Sequence, residues 1–224
     1  MVRISSTFFI KERWQVRIVD NLEPQTHRNG QPGWLPDSAE FIHGSIQDRA
    51  TIKAALQRTS TWSFFNAAFR AFRQAVYAGY MPEIAKYVHV NSFGTAQMLE
   101  VIRDEKLPIQ KVVVASSQAV YSEGAATCPE HGLVFPGVRP TEQLRAGDYP
   151  VHCPKCGAQT TSVPTPEGAP IGGETVYGLT KVDQERLVLN SYSSGAGRQG
   201  SPPSPYDTLA PTARGNLFSI RTQA

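Results

Sequence analysis

Two side chains four residues apart, Tyr177 and Lys181, have the types and the spacing of a proton-transfer site. The surrounding pattern predicts a helix over residues 176–189, and residues four apart lie on the same face of a helix. A nearby cation favours the phenolate of a tyrosine, whose pKa is otherwise about 10. The pair could therefore act on one substrate as a general acid and base near neutral pH. The same spacing is also common on the exposed polar face of a helix.

Ser117, which offers a hydroxyl group, follows a continuous apolar segment at residues 111–115. Such a segment is typical of a strand buried on both faces of a parallel sheet. Ligands of these sheets bind beyond the carboxyl ends of the strands. Ser117 could there hydrogen-bond a substrate oxygen while Tyr177 moves the proton, so the three residues predict one catalytic site.

Strands and helices alternate along the part of the chain that would position these residues. Strands are predicted at residues 14–20, 40–44, 62–65 and 111–115, and helices follow Asp48 and cover residues 82–106 and 176–189. This order predicts an α/β fold with a parallel sheet and flanking helices. In the helix over residues 82–106, apolar residues at helical spacing are expected to face the core: Ile84, Tyr87, Val88, Met98, Leu99 and Ile102.

Three polar residues lie where a dinucleotide or the backbone could use them. Asp20 and Asn21 follow the strand at residues 14–20, and an acid at the tip of a second parallel strand can hold the ribose hydroxyls of a dinucleotide. An aspartate at a strand end also starts turns. Asn91, inside a helix that faces the sheet, could either contact a cofactor or tie backbone groups together.

Cysteine and histidine recur in two short motifs, Cys128-Pro-Glu-His131-Gly and Cys153-Pro-Lys-Cys156-Gly. Each motif offers two ligands with two residues between them and a glycine for a tight turn, which is the pattern of a zinc knuckle. The motifs predict a structural Cys3His zinc site with no open position for water. Free thiols with an exposed histidine are the alternative, and His152 is a weaker candidate ligand because it breaks the spacing.

The composition indicates a globular protein and excludes several classes. The chain has 224 residues, of which 40% are hydrophobic, and a net charge of +3 without a basic run, so nucleic acid is not an expected partner. No apolar stretch approaches the roughly 20 residues of a membrane span. The first residues lack the layout of a signal peptide, and the three cysteines argue against a disulfide framework. These features predict a cytoplasmic protein without a membrane partner.

The segment from Val114 to Tyr121, together with Tyr177-x-x-x-Lys181, resembles the extended short-chain dehydrogenase/reductases, specifically the NAD-dependent nucleotide-sugar epimerases and dehydratases. Val19-Asp20-Asn21, the run from Asn91 to Thr95 and Lys181-x-x-x-Glu185 also match, and the resemblance covers about residues 2–190. It implies a Rossmann-like fold, NAD as cofactor, a nucleotide-linked sugar as substrate with hydride transfer at C4, and a possible homodimer.

The resemblance also assigns roles. It implies that Ser117 and Tyr177 bind the sugar and shuttle its proton while Lys181 holds the nicotinamide ribose. It further implies that Asp20 and Asn21 hold the adenosine ribose and that Ala67 and Asn91 line the cofactor.

The chain departs from the family pattern in three places. No glycine precedes Gly30, so the Gly-x-x-Gly-x-x-Gly loop that cradles the pyrophosphate is not found, and the expected Rossmann-like sheet is incomplete. Ser45 occupies the place of an acid that contacts adenine in the family. Residues 193–224 are rich in Ser, Gly and Pro and are predicted to be a disordered tail. These departures predict a truncated or frame-shifted product, and the alternative function is a catalytically inactive, zinc-binding remnant that does not hold NAD.

The interval between Ser117 and Tyr177 is 60 positions, more than twice that usual in the family, and it contains both knuckles. This insertion resembles that of a deoxysugar 4-epimerase-like subset, and could serve as a lid or specificity loop. The predicted domains are therefore a partial NAD-binding Rossmann domain at residues 1–121, the zinc-knuckle insertion at 122–173, the catalytic helix at 174–192 and the tail at 193–224.

Overall fold

The computed structural model describes residues 9–24, 27–33, 35–57, 62–65, 83–109, 111–193, 207–211 and 218–221. In chain order its elements are β1 (Arg17–Asp20), β2 (Glu40–His43), α1 (Arg49–Leu56), β3 (Trp62–Phe65), α2 (Ile84–Tyr87), a π-helical turn (Val88–Phe93), α3 (Gly94–Asp104), β4 (Lys111–Ala115), a 3-10 turn (Gln118–Tyr121), β5 (Ala125–Cys128), β6 (Gly132–Val134), α4 (Thr141–Arg145), β7 (Thr161–Val163), α5 (Val176–Ser193), β8 (Asp207–Pro211) and β9 (Phe218–Arg221).

Parallel pairing confirms the predicted α/β architecture. β1 pairs in parallel with β2, and β3, β4 and β8 form a second parallel set to which β9 adds an antiparallel strand. Among the described residues these are two separate sheets. Within the part of the chain that the structure describes, the Rossmann-like sheet is thus incomplete, in line with the sequence-based expectation. The first strand begins at Arg17, three residues later than the alternation suggests.

Helices α1, α3 and α5 pack with β4 around one hydrophobic core. Asp48 begins α1 as predicted, because its carboxylate accepts the backbone N–H groups of Ala50 and Thr51 at 3.2 and 3.0 Å. At the other end of this helix the guanidinium of Arg17 donates to the carbonyl oxygens of Ala55 and Gln57. The buried core residues come from all four elements: Ile52, Met98, Val101, Val112, Val114 and Val188.

The helical segment predicted at residues 82–106 is not one regular helix. The π-helical turn at Val88–Phe93 separates α2 from α3, and a π turn holds one residue more than an α turn, which rotates the faces before and after it. Tyr87 and Met98 are buried as expected, but Ile84 is 54% exposed and Val88 is 42% exposed. The prediction that Ile84 and Val88 face the core is therefore wrong.

The insertion folds around its own small sheet. β5 lies between β6 and β7 in antiparallel pairing, and the buried cluster beneath it consists of Ala126, Cys128, Val134 and Cys153. Three hydrogen bonds hold the end of this insertion and the residue that follows it. The backbone N–H groups of Gly172 and Gly173 donate to the carbonyl oxygen of Val120, and the Glu174 carboxylate accepts the N–H of Val138 at 2.8 Å.

Two strands lie within the segment that composition predicts to be disordered. β8 pairs in parallel with β4, with Val114 opposite Thr208, and β9 pairs with β8. The edge of β4 offers unpaired backbone groups that a short extended segment such as β8 can satisfy. None of the helices that the structure describes is both long and apolar enough to cross a bilayer.

Candidate functional site

Ser117 lies immediately beyond the carboxyl end of β4, where the sequence places it. Its backbone is extended, with φ of −147° and ψ of 152°, and its Oγ accepts the N–H of Ala119 at 3.2 Å. This is the geometry of a helix N-cap, so the serine itself starts the 3-10 turn. The hydroxyl is half-buried and can still donate its own proton.

Tyr177 lies in the first turn of α5, beside the turn that Ser117 begins. The Thr175 hydroxyl accepts the N–H of Gly178 at 2.9 Å and so begins the helix. Gly178 packs so tightly that a Cβ atom there would lie 2.6 Å from the carbonyl oxygen of Ala119. The half-buried Tyr177 ring contacts Tyr87 edge to face, with centroids 6.1 Å apart. The structure therefore brings the segments of Ser117 and Tyr177 together.

Lys181 lies deeper than Tyr177, with only 1% of its surface exposed. Its Nζ donates to the carbonyl oxygen of Ala115, the last residue of β4, and to Gln184 Oε1, both at 2.7 Å. Burial lowers the pKa of this amine to about 7, and the charge of Glu185 opposes that decrease. The ammonium thus lies beneath the strand end that leads to Ser117, whereas the sequence suggested that it points at substrate beside Tyr177.

A buried chain of hydrogen bonds links Asn91 to the same helix. Asn91 is fully buried, and its Nδ2 donates to Thr180 Oγ1, which donates to the Tyr177 carbonyl oxygen. Thr95 Oγ1 donates to the Asn91 carbonyl oxygen and accepts from Gln184 Nε2. In this structure Asn91 thus ties helices together, which is one of the two roles open to it from the sequence.

Sequence reasoning gave no role to Thr95, Thr180, Gln184 or Glu185, although all four are buried. A usable signal exists on α5, because Thr180, Gln184 and Glu185 lie three or four residues from each other or from Lys181, on the face that carries buried Val188. Polar side chains in an apolar helix stripe are hydrogen-bonded or paired when they are buried. Polar residues at this spacing around Lys181 therefore predict that the amine is buried among hydrogen-bonding side chains.

Asp20 lies at the carboxyl end of β1, and its carboxylate already has local partners. Oδ1 accepts the N–H of Leu22 at 2.8 Å, and Oδ2 lies 3.3 Å from His27 Nε2. These contacts are those of a strand-end turn, the other role that the sequence allowed. Asn21 is exposed, and its carbonyl oxygen lies 3.3 Å from His43 Nε2. Ala67 lies outside the described residues.

The four predicted metal ligands, Cys128, His131, Cys153 and Cys156, form one cluster. Their ligand atoms all lie within 4.8 Å of one another. In the first knuckle, Cys128 pairs with Gly132 across the β5–β6 hairpin, which brings His131 close to Cys128. In the second, the Gly157 N–H donates to the Cys153 carbonyl oxygen at 2.9 Å and closes the turn. Gly132 and Gly157 have φ of 63° and 74°, so each knuckle uses its glycine for the left-handed turn.

Three distances between the ligand atoms are close to those of a tetrahedral zinc site. Cys128 Sγ lies 3.6 Å from His131 Nδ1 and 3.7 Å from Cys156 Sγ, and Cys153 Sγ lies 3.7 Å from His131 Nδ1. Tetrahedral Zn–S and Zn–N bonds of usual length place sulfur atoms about 3.8 Å apart and sulfur and nitrogen about 3.5 Å apart. The donor set therefore fits zinc.

Groups around the cluster lower the pKa of the Cys153 thiol and engage His152 elsewhere. Burial raises the pKa of Cys153, but N–H donors at Lys155 and Cys156, together with neighbouring thiols, lower it overall to about 7. His152 bonds instead to the Gly157 carbonyl oxygen at 2.8 Å and to Asp148 at 2.9 Å. Its side chain is thus engaged outside the cluster.

Residues 6–141 match the model of the NAD dependent epimerase/dehydratase family. The chain is 30% identical over 182 residues to dTDP-L-rhamnose 4-epimerase of Burkholderia thailandensis, covering 79% of this chain and 46% of that protein. The chain thus spans about half of the length of this relative.

Solved structures of similar fold include two sugar-nucleotide epimerases. UDP-glucose 4-epimerase from Brucella ovis in complex with NAD aligns with a TM-score of 0.58 and 19% identity, over 93% of this chain and 46% of that one. UDP-glucose 4-epimerase of Thermotoga maritima with UDP-glucose aligns with a TM-score of 0.58 and 18% identity, over 93% and 50%. At these identities the likeness shows the shared fold.

Proposed function

Because the chain belongs to the NAD dependent epimerase/dehydratase family, we propose that it acts on a nucleotide-linked sugar by NAD-dependent hydride transfer at C4. The observation that carries the proposal is the packing of the first turn of α5 on the 3-10 turn after β4. That contact places Tyr177 beside the segment of Ser117, above the buried Lys181. A hydroxyl, a phenol and an amine so arranged are suited to moving the proton of a sugar hydroxyl.

The residues fit the two ends of a dinucleotide. At one end the Asp20 carboxylate lies at a strand end, where it could exchange its His27 contact for ribose hydroxyls. At the other end the Lys181 ammonium lies beneath the strand end that leads to Ser117 and could turn one N–H toward a ribose. NAD, when bound, would supply the hydride acceptor for C4 of the sugar. The sequence contains no Gly-x-x-Gly-x-x-Gly motif for the pyrophosphate, so direct measurement of NAD binding is the first test.

Within this site each side chain has one task. Ser117 Oγ, held by the Ala119 N–H, would donate to the sugar oxygen and orient it. The Tyr177 phenol would take the proton of the C4 hydroxyl and return it, with the Lys181 charge favouring the phenolate. The Tyr87 ring against Tyr177 restricts the phenol to one side of α5.

The experiment combines NAD titration of the purified chain with a turnover assay. We expect saturable NAD binding by calorimetry and interconversion of 4-epimeric dTDP- or UDP-sugars by NMR. Tyr177→Phe should lower turnover at least about 100-fold while NAD binding persists. Tyr149→Phe is the matched control, because Tyr149 is exposed on the insertion, and it should leave both unchanged. Absence of NAD binding at millimolar concentration would instead support the alternative function, an inactive zinc-binding remnant.

We further propose that the Cys3His cluster binds one structural zinc ion. The four donors would complete a tetrahedron, so the metal would hold the two knuckles together without binding substrate. Metal analysis should find one zinc per chain, and Cys128→Ser or His131→Ala should lower that content. His152→Ala should retain the zinc, since His152 bonds to Asp148 and Gly157. A zinc content far below one in the unaltered chain would refute the site.

A homodimer is also proposed, on the evidence of exposed apolar side chains on α2, the π-helical turn and α5. Ile84, Val88, Phe93 and Leu179 are each between 42% and 54% exposed. A second copy of the chain could cover them. Sedimentation velocity should show a dimer that Phe93→Glu dissociates, and a monomer at high concentration would contradict the proposal.

A further inference from the structure

Glu185 is a buried carboxylate to which neither the fold nor the proposed catalytic groups give a task. It lies one helical turn after Lys181 on α5 and is only 4% exposed. We propose that Glu185 is a positioning residue whose buried carboxylate keeps the Lys181 ammonium charged at the carboxyl end of β4. The effect of Glu185 on catalysis rests on the proposed function, whereas the experiments that test the proposal do not depend on it.

The cost of burying Glu185 is the first argument. Within the described residues, Glu185 Oε1 and Ser116 Oγ are buried and make no hydrogen bond. An uncompensated buried carboxylate costs several kcal/mol, which a nearby opposite charge offsets. The next position on α5 is open to solvent, since Arg186 is exposed. A carboxylate at that position would not carry this cost. The positive charges of Lys181, one helical turn before Glu185, and of Arg186 offset part of this cost.

The surroundings of Lys181 give the second argument. Its ammonium is bound by neutral acceptors, the Ala115 carbonyl from β4 and the Gln184 amide from α5. The side chains that approach from the π-helical turn and α3, Asn91 and Thr95, are also neutral. Glu185 is a charged group that acts on Lys181, and it raises the pKa of the amine against the effect of burial. Gln184 thus fixes where the ammonium lies, and Glu185 sets how far it is protonated.

The balance between burial and this charge makes Glu185 consequential near neutral pH. Burial lowers the pKa of Lys181 to about 7 with Glu185 present, so removal of the carboxylate leaves the amine mostly neutral at pH 7. Burial conversely raises the pKa of Glu185, and the positive charges of Lys181 and Arg186 counteract that increase. A neutral Lys181 would no longer favour the Tyr177 phenolate.

The test measures the charge of Lys181 directly, without NAD or substrate. The chain is labelled with 13C-lysine, the Lys181 Cε signal is assigned by its loss in Lys181→Met, and its chemical shift is followed from pH 5 to 11. In Glu185→Gln we expect the Lys181 midpoint to fall by about one pH unit relative to the unaltered chain. Equal midpoints would overturn the proposal.

The matched control is Asp183→Asn on the same helix. Asp183 is only half-buried and accepts the Ser92 hydroxyl at 3.0 Å on another face of α5, so its replacement should leave the Lys181 midpoint in place. An equal decrease in both variants would show a general charge effect and overturn the specific role.

A second measurement covers the case in which Glu185→Gln does not fold. In the unaltered chain labelled with 13C-glutamate, the Glu185 carboxyl signal should show an ionised group at pH 7. A protonated Glu185 at that pH would refute the proposal. Because no arm uses NAD, a chain that fails to bind NAD refutes the proposed function alone.

Discussion

At the scale of single residues, the site depends on polar side chains that are buried without being isolated. Lys181 and Gln184 are both at most 1% exposed, and the bonds from the Tyr177 carbonyl through Thr180, Asn91, Thr95 and Gln184 to Lys181 form one continuous chain. In a low-dielectric interior each bond is stronger, and each lost partner is more costly, than at the surface. The network therefore fixes the direction of the amine more firmly than surface pairs could.

The first prediction concerns pH. The pKa of Lys181 is about 7 in the folded protein and about 10.4 in an unfolded chain, so the unfolded state binds more protons between these values. The free energy of unfolding should therefore rise with pH across this window, by up to about 1.4 kcal/mol per pH unit from this residue. Lys181→Met should lack this rise. Urea unfolding of both proteins at pH 7 and 9.5 measures it, and identical pH dependence would contradict the burial of the amine.

A second prediction tests the hydroxyl between Asn91 and Tyr177. Thr180→Val keeps the shape of the side chain but leaves the Asn91 Nδ2 without the acceptor that it has at 3.0 Å. We expect a loss of about 1–3 kcal/mol in the free energy of unfolding, with most of it restored by Thr180→Ser. Thr161→Val, at an exposed position of β7, serves as control and should change stability by less than about 0.5 kcal/mol. A Thr180→Val protein of unchanged stability would argue against the network.

At the scale of elements, two irregular turns determine how α5 meets the sheet. The 3-10 turn begins at Ser117 and receives Gly178, while the π-helical turn carries Asn91 inward to Thr180. π turns inside helices occur often at functional sites. The two turns together hold the start of α5 at the end of β4, and so determine the relation of Tyr177 to Ser117.

Gly178→Ala tests this contact between elements. Alanine stabilises a helix relative to glycine by up to about 1 kcal/mol. At this position, however, its Cβ would lie 2.6 Å from the backbone oxygen of Ala119. That oxygen can move away only if the whole 3-10 turn shifts. We expect a net loss of about 1–3 kcal/mol by thermal or urea unfolding.

Gly94→Ala is the comparison for this variant. Its Cβ would lie 2.7 Å from Cδ1 and 3.1 Å from Cγ1 of Ile46. These are atoms of a flexible side chain, so Gly94→Ala should cost less than Gly178→Ala. The opposite ranking would show that the turn after Ser117 is not a rigid support.

At the scale of the whole molecule, the described chain combines an α/β body with an inserted metal module. The insertion has its own sheet and its own buried cluster, two of whose members, Cys128 and Cys153, are proposed zinc ligands. Such a small core rarely folds without a metal or a disulfide. We infer that residues 122–173 depend on zinc while the α/β body depends on its apolar core.

Zinc removal should therefore affect the two parts differently. After treatment with a strong chelator, we expect all three cysteines to react with a thiol reagent and limited proteolysis to cut within residues 122–173. The core of α1, α3, β4 and α5 should resist cleavage, and mass spectrometry of the fragments reports this. Added zinc should restore protection. Simultaneous loss of both parts would show that the body also depends on the metal.

The sequence alone determined the features that follow from local chemistry. Strand and helix order, the Asp48 cap, the serine at the end of β4 and the two knuckles with their glycines all follow from patterns within a few residues. The ligands of the metal cluster were predictable for the same reason, since spacing within each knuckle places two donors together.

Only the tertiary structure decided where long-range packing directs a side chain. The helical period could not show that Lys181 turns under β4, that the π-helical turn exposes Ile84 and Val88, or that β8 and β9 pair beside β4. It also could not identify the partnership of Glu185 with Lys181, whose strength depends on how far both are withdrawn from water. Burial and pairing across elements are properties of the assembled core, because each depends on what the rest of the chain places nearby.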